Sequence, residues 1–98
     1  MNVTFGEQSL VDLESNPDAK CRFDSSIVRS FRKTMNFIRS ATDERDLYAW
    51  PGGRFESLKG DRSHQHSLRL NQQWRLIVEL RKGKPKNTVH IVEIVDYH

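Results

Sequence analysis

Three residues that can transfer protons, Asp96, Tyr97 and His98, stand together at the end of this 98-residue sequence. They directly follow residues 89–95, which are apolar on both faces apart from His90 and Glu93, the pattern of a strand inside a sheet. Chain ends usually fray, but an end that continues an interior strand is held in place. An acid, a phenol and an imidazole side by side indicate a candidate active site that moves protons.

A second group of residues supplies positive charge. Arg69 and Arg75 flank the short turn 71–73, so on neighbouring strands they would project from one face of a sheet and form a phosphate site. Lys59 can add a third cation, and Gly60 lets the backbone come close to a ligand. Spacing alone slightly favours the simpler interpretation of solvated surface charges. The basic residues of this half of the chain are Arg54, Lys59, Arg62, Arg69, Arg75, Arg81, Lys82, Lys84 and Lys86.

The apolar pattern predicts the elements that position these residues. A strand at residues 1–5 precedes a short helix at 7–14 and a longer helix at 23–38, which has one apolar stripe and the N-terminal caps Asp24, Ser25 and Ser26. Residues 42–53 are mainly loop, with a helical turn at 46–50. Three strands follow, around 67–71, 74–80 and 89–95, and the last is placed inside the sheet. The order predicts an α+β domain with a helical pair on one face of a mainly antiparallel sheet.

Length and composition limit the function further. Ninety-eight residues form one domain, 1–98, with a single core. The sequence is 36% hydrophobic and 30% charged, and no apolar run approaches the ~20 residues of a membrane span. Its N-terminus lacks the features of a signal peptide, so we expect a cytoplasmic protein without membrane partners. Cys21 is the only cysteine, which excludes an intrachain disulfide, and no residue spacing resembles a metal site. The net charge of +3 weakly favours a polyanionic partner.

Three ordered motifs in the second half of the chain resemble those of the HigB branch of the RelE/ParE toxin superfamily, the plasmid maintenance killer proteins of bacterial toxin–antitoxin modules. The motifs are Leu58-Lys59-Gly60-Asp61-Arg62, Gln73-Trp74-Arg75-Leu76 and Val95-Asp96-Tyr97-His98. The stretch Pro51-Gly52-Gly53-Arg54-Phe55-Glu56 is similar to that of one HigB subgroup. The resemblance is strong over residues 50–98, whereas the first half agrees only in its order of a strand and two helices.

The resemblance implies a RelE-like fold (β-α-α-β-β-β) and a ribosome-dependent mRNA endonuclease that inhibits translation. Such a toxin needs no cofactor or metal, because the ribose 2′-hydroxyl attacks the adjacent phosphate. His98, Tyr97 and Asp96 match the catalytic motif of the family, with His98 the first choice for proton transfer. Lys59 and Arg75 match its phosphate-holding positions, and Arg54, Arg62 and Arg69 are further candidates for RNA binding. The implied partners are a HigA-type helix-turn-helix antitoxin, the ribosome and mRNA, with operator DNA reached only through the antitoxin.

One departure from the family leaves the general base open. Better-studied members carry a histidine three residues before the lysine that matches Lys59, where this chain has Glu56. Glu56 is either a base or a spectator that pairs with Arg54 or Arg75. An inactive toxin is a third interpretation. The sequence does not determine codon preference, the antitoxin contact surface or the stoichiometry of the complex.

Two classes of function remain open at this stage. The first is cleavage of ribosome-bound mRNA, and the second is a ParE-like, non-nucleolytic toxin or binding module that acts on a protein. The proton-transfer cluster at the end of the chain favours cleavage. The basic residues of the longer helix could bind ribosomal RNA, contact an acidic antitoxin surface or face water, and solvation is the default interpretation. These residues are Arg29, Arg32, Lys33 and Arg39.

Overall fold

The structure, a computed structural model, describes residues 1–19 and 21–96 as three helices and one sheet. The predicted Tyr97 and His98 lie outside the described residues. The elements are β1 (Asn2–Phe5), α1 (Gln8–Ser15), α2 (Ser25–Ser40), α3 (Glu44–Ala49), β2 (Glu56–Ser57), β3 (Gln65–Arg69), β4 (Trp74–Arg81) and β5 (Thr88–Asp96). The strand order is β1-β5-β4-β3-β2, with β1 parallel to β5 and the other pairs antiparallel. The predicted α+β class and mainly antiparallel sheet are confirmed.

The position of β5 follows from its sequence. Its side chains are apolar on both faces, so burial of both faces favours an interior place, and β5 does lie between β1 and β4. Alternate residues of β3 and β4 face the helices and form the core with the apolar stripe of α2, whereas in β5 an irregularity in the pairing with β4 puts Ile91 and Ile94 on that same face. The sheet contributes Leu68, Leu76, Val78, Ile91 and Ile94, and α2 contributes Ile27, Phe31, Met35 and Ile38. The helices therefore cover one face of the sheet.

Two arginines of α2 hold α1 against it as a helical hairpin. Arg32 Nε donates to the carbonyl of Leu13 at 3.0 Å. Arg39 makes a bidentate pair with Glu14, with both N–O distances at 2.7 Å, and this hydrogen bond raises the pKa of Arg39. These two cations therefore have a structural role, whereas Arg29 and Lys33 are exposed on the outer side of α2.

Several boundaries differ from the sequence prediction. The region 42–53 contains the helix α3, which begins at Glu44, and Asp43 caps it by accepting from Arg45 N at 2.9 Å. The two-residue strand β2 was not predicted, because it is too short for alternation to be visible. Asp24 occupies the N-cap of α2, but among the described residues its carboxylate accepts from Ser26 Oγ (2.9 Å) and not from a backbone amide. None of the described helices has the length and apolar character needed to cross a membrane.

Candidate active site

The face of the sheet opposite the helices, here called the open face, carries the predicted cations Arg62, Arg69 and Arg75. Residues that alternate with the core positions form three rows across β3, β4 and β5. One row is Arg69, Arg75 and Val95, the next is Ser67, Ile77 and Glu93, and the third is Gln65, Glu79 and His90.

Arg69 and Arg75 are register partners on adjacent antiparallel strands, which is the pairing that the sequence predicted. Adjacent strands lie about 4.8 Å apart, so the two side chains leave the sheet side by side. Both are half-buried, and Arg69 Nε donates to the carbonyl of Asn71 at 3.3 Å, which fixes the base of its side chain. Each guanidinium group offers a planar fork of N–H donors, which is the geometry that binds phosphate through two hydrogen bonds.

Lys59 and Arg62 lie on the loop between β2 and β3. The backbone amide of Leu58 donates to the carbonyl of Gln65 at 2.9 Å, and a 3-10 turn at Gly60–Arg62 follows with Gly60 at a φ of 67°. Lys59 is exposed at the start of that turn. Arg62 reaches across the open face, with Nε at 2.8 Å from Gln65 Oε1 and Nη2 at 4.0 Å from Glu93 Oε2.

The tight turn before β2 carries Arg54, an exposed residue with a positive φ of 45°. The carbonyl of Gly53 accepts from the backbone amide of Arg69 at 2.6 Å, which ties this turn to the end of β3. Trp50 packs over Gly53 and stacks on Phe37, with ring centroids 4.3 Å apart. Arg54 therefore stands beside the end of β3 that carries Arg69.

Glu56 lies at the rim of the sheet. It is exposed on the edge strand β2, and its register partner is Ser67. Ser67 pairs in turn with Ile77, so Glu56 is two strand spacings, roughly 10 Å, from β4, which carries Arg75.

Asp96 stands on the other side of the sheet from Arg75. Its register partner is Trp74, whose ring meets the Phe23 ring edge-on at 5.5 Å on the helix side. The Asp96 carboxylate accepts from Gln73 Nε2 at 3.0 Å. The sequence grouped Asp96 with Tyr97 and His98 as one proton-transfer cluster, and the strand register places Asp96 on the helix side of the sheet. Tyr97 and His98 follow it, outside the described residues.

The three described histidines are in different environments. His64 is exposed, with Nε2 at 3.9 Å from Glu79 Oε2. His90 Nδ1 is 2.7 Å from Thr4 Oγ1, a contact that joins β5 to β1. His66 stacks on Phe55 at 4.6 Å and has Nε2 at 3.2 Å from Tyr48 Oη. Burial lowers the pKa of His66, and nearby Glu44 partly offsets this effect.

Gln65 and Glu79 were not singled out from the sequence. Gln65 is only 8% exposed, and its amide lies between Arg62 and the Glu79 carboxylate. The hydrogen bond from Gln65 is the main cause of the lowered pKa of Glu79, and Arg81 and His64 act in the same direction. The sequence shows only that Gln65 is polar at a position that becomes buried. The strand register is needed to identify its neighbours.

A cavity lined by described residues lies away from this site. It has a volume of about 690 Å³ and lies between α1 and β5 on the helix side, where Leu10, Leu13, Phe23 and Ile94 contribute to its lining. In the described part of the chain, no group of three or more His, Cys, Asp or Glu side chains is arranged to hold a metal ion.

Comparison with known proteins identifies the family. Residues 4–98 match the family model described as RelE-like toxin of type II toxin–antitoxin system HigB. This chain belongs to the HigB-like toxin family. The toxin is 38% identical to Toxin HigB-1 of Vibrio cholerae over 64 residues, which cover 65% of this chain and 67% of that protein.

Solved structures with the same fold are similar over the whole toxin. A YoeB/ParE toxin from Agrobacterium tumefaciens has a TM-score of 0.62 at 18% identity, with both chains fully covered. The toxin also matches a chain of a heterotetrameric YoeB–YefM toxin–antitoxin complex from Staphylococcus aureus. That match has a TM-score of 0.60 at 21% identity and covers 100% of this toxin and 97% of that chain. At these identities the likeness shows the fold, and it confirms the predicted RelE-like architecture.

Proposed function

We propose that the toxin is a ribosome-dependent mRNA endonuclease that acts in the cytoplasm. The observation that carries this proposal is the pairing of Arg69 with Arg75 on a helix-free sheet face, beside the strand that leads into Asp96, Tyr97 and His98. The pairing supplies adjacent fixed cations, and the sequence supplies proton-transfer groups next to them. Phosphodiester cleavage needs both.

In the proposed reaction, the ribose 2′-hydroxyl of the message attacks the adjacent phosphorus and the bond to the 5′ oxygen of the next nucleotide breaks. The products are a 2′,3′-cyclic phosphate and a 5′-hydroxyl. A base removes the 2′ proton and an acid protonates the leaving 5′ oxygen, and we assign proton transfer first to His98. Arg75 and Lys59 stabilise the extra negative charge at phosphorus. Tyr97 donates a hydrogen bond or stacks on a base, as implied by the family motif.

Arg69, Arg62 and Arg54 have a different role in this proposal. They line the approach to Arg75 and bind the RNA backbone, because guanidinium groups bind phosphate through a planar fork. Asp96 lies on the helix side of the sheet, where its carboxylate accepts a hydrogen bond from Gln73. Its role in this proposal is to orient the end of the chain.

We further propose that a HigA-type helix-turn-helix antitoxin silences the toxin and that operator DNA is reached only through this antitoxin. Membership of a type II toxin–antitoxin family supports an antitoxin partner. The structural likeness to a chain from a toxin–antitoxin complex is consistent with it.

The test is induction of the toxin without its antitoxin, with message ends mapped on translating ribosomes. We expect growth arrest and breaks at codon positions, and a loss of both in Arg75→Ala and His98→Ala. The matched control is Arg29→Ala on the outer side of α2, which should behave as the wild type. Growth arrest with intact messages would instead support the ParE-like alternative, in which the toxin acts on a protein without cutting RNA.

A further inference from the structure

A chain of hydrogen bonds on the open face fixes the direction of Arg62. Gln65 Oε1 accepts from Arg62 Nε at 2.8 Å, and Gln65 Nε2 donates to Glu79 Oε2 at 3.3 Å. The other Glu79 oxygen accepts from Arg81 Nη2 at 3.2 Å. The four residues therefore form one connected network that ends at Arg62.

The orientation of the Gln65 amide is determined by its neighbours. A carboxylate only accepts hydrogen bonds and a guanidinium only donates them, so the amide nitrogen must face Glu79 and the amide oxygen must face Arg62. Because Gln65 is 8% exposed, both bonds are needed to offset the cost of burying its amide. Arg62 is consequently bonded to a buried group that cannot rotate freely.

The part of Arg62 that remains available lies over the middle row of the open face. Its Nε donates to Gln65, while Nη2 makes a long ion pair with the half-exposed Glu93 carboxylate at 4.0 Å, which is too far for a hydrogen bond and leaves the terminal nitrogens able to bind a second anion. Ile77 belongs to the same row. It lies on the same face of β4 as Arg75 and Glu79, midway between these two residues. Arg62 therefore adds a third positive side chain to the open face, next to the row that carries Arg69 and Arg75.

We propose that Gln65 is a positioning residue which, with Glu79, holds Arg62 across the open face so that its terminal nitrogens bind a phosphate of the RNA. This inference rests on the proposed function. An arginine that is already ordered loses less side-chain entropy on binding, an advantage of roughly three- to tenfold in affinity for one immobilised side chain. Gln65 itself does not contact the substrate.

The experiment measures binding of the toxin to ribosomes carrying a short mRNA whose decoding-site codon has 2′-deoxyribose, which prevents cleavage. We expect Gln65→Leu to weaken binding roughly three- to tenfold and Arg62→Ala to weaken it at least as much. In the double variant, the Gln65 change should add nothing to the Arg62 change, because it acts only through that side chain. The matched control is Gln8→Leu, which removes an exposed amide that bonds Asp12 on α1 and should bind as the wild type.

A second pair of variants tests the network while keeping a polar side chain at position 65. Gln65→Glu places a carboxylate against Glu79 and should weaken binding. Adding Glu79→Gln supplies an amide donor between positions 65 and 79 again, while the carboxylate at position 65 still accepts from Arg62, so the pair should recover wild-type affinity.

The outcomes separate this inference from the proposed function. Wild-type affinity in a folded Gln65→Leu protein, or additive losses in the double variant, would overturn the positioning role while cleavage by the wild type still stands. Absence of cleavage in the wild type, or undiminished cleavage in Arg75→Ala, would instead contradict the proposed function.

Discussion

At the scale of single residues, the position of a carboxylate matters more than its presence in a motif. Glu56 occupies the place of a family histidine, yet it is exposed on an edge strand, two strands away from Arg75. A general base must come within hydrogen-bond reach of the proton it removes. From this position we infer that Glu56 is a spectator at the rim of the site.

The variant Glu56→Gln tests this inference because it removes the charge and keeps the shape. We expect mRNA cleavage on ribosomes to stay within about tenfold of the wild type, whereas loss of a general base typically costs about 10²–10⁴-fold. The measurement is the single-turnover rate of cleavage, with His98→Ala as the comparison that should lose far more. A loss of a hundredfold or more in Glu56→Gln would assign the base to Glu56.

The sequence predicted the positions of the arginines in the sheet better than the positions of the carboxylates. A short turn between two alternating runs was enough to place Arg69 beside Arg75, because register in a hairpin follows from the turn. The face of the sheet on which Asp96 lies was not predictable in the same way, since a shift of one residue in strand register moves a side chain to the opposite face. Gln65 became visible as part of the site only once the pairing of β3 with β4 placed it beside Glu79 and the preceding loop placed it beside Arg62.

At the scale of elements, the turn at residues 50–54 joins the helices to the cation row. Trp50 is stacked on Phe37 of α2, and the carbonyl of Gly53 is bonded to the amide of Arg69 on β3. The sequence marked this region only as a Gly- and Pro-containing loop. The helical turn predicted at 46–50 is part of the helix α3, Glu44–Ala49, whose start was missed because six residues carry too little periodicity.

Two adjacent glycines allow a matched test of this turn. A Cβ at Gly53 would lie 2.5 Å from the Trp50 ring, which is held by its stack on Phe37, whereas a Cβ at Gly52 would lie 3.8 Å from Trp50. We expect Gly53→Ala to lower the free energy of unfolding by about 1–3 kcal/mol through overpacking. Gly52→Ala should leave it within about 0.5 kcal/mol of the wild type. Urea denaturation of both variants provides the measurement, and equal stability would show that the turn adapts.

At the scale of the whole molecule, the sheet separates two surfaces with different chemistry. The helices bury one face, and two cations of α2 are occupied in holding α1. The open face carries Arg62, Arg69 and Arg75, of which Arg62 and Arg69 are each held by a hydrogen bond from Nε. The net charge of +3 is small, so an RNA-binding surface on this toxin depends on where the cations lie and not on their number.

The salt dependence of ribosome binding distinguishes these two surfaces. A cation that contacts the phosphate of a single strand contributes about 0.7 to the slope of log affinity against log salt concentration. We therefore expect Arg69→Ala to reduce the slope by roughly 0.7, measured with the same 2′-deoxy message on ribosomes. Arg29→Ala and Lys33→Ala, which remove exposed charges on the opposite side of the toxin, should leave the slope unchanged. The reverse result would place the RNA on α2, and the open face would then have to serve another ligand.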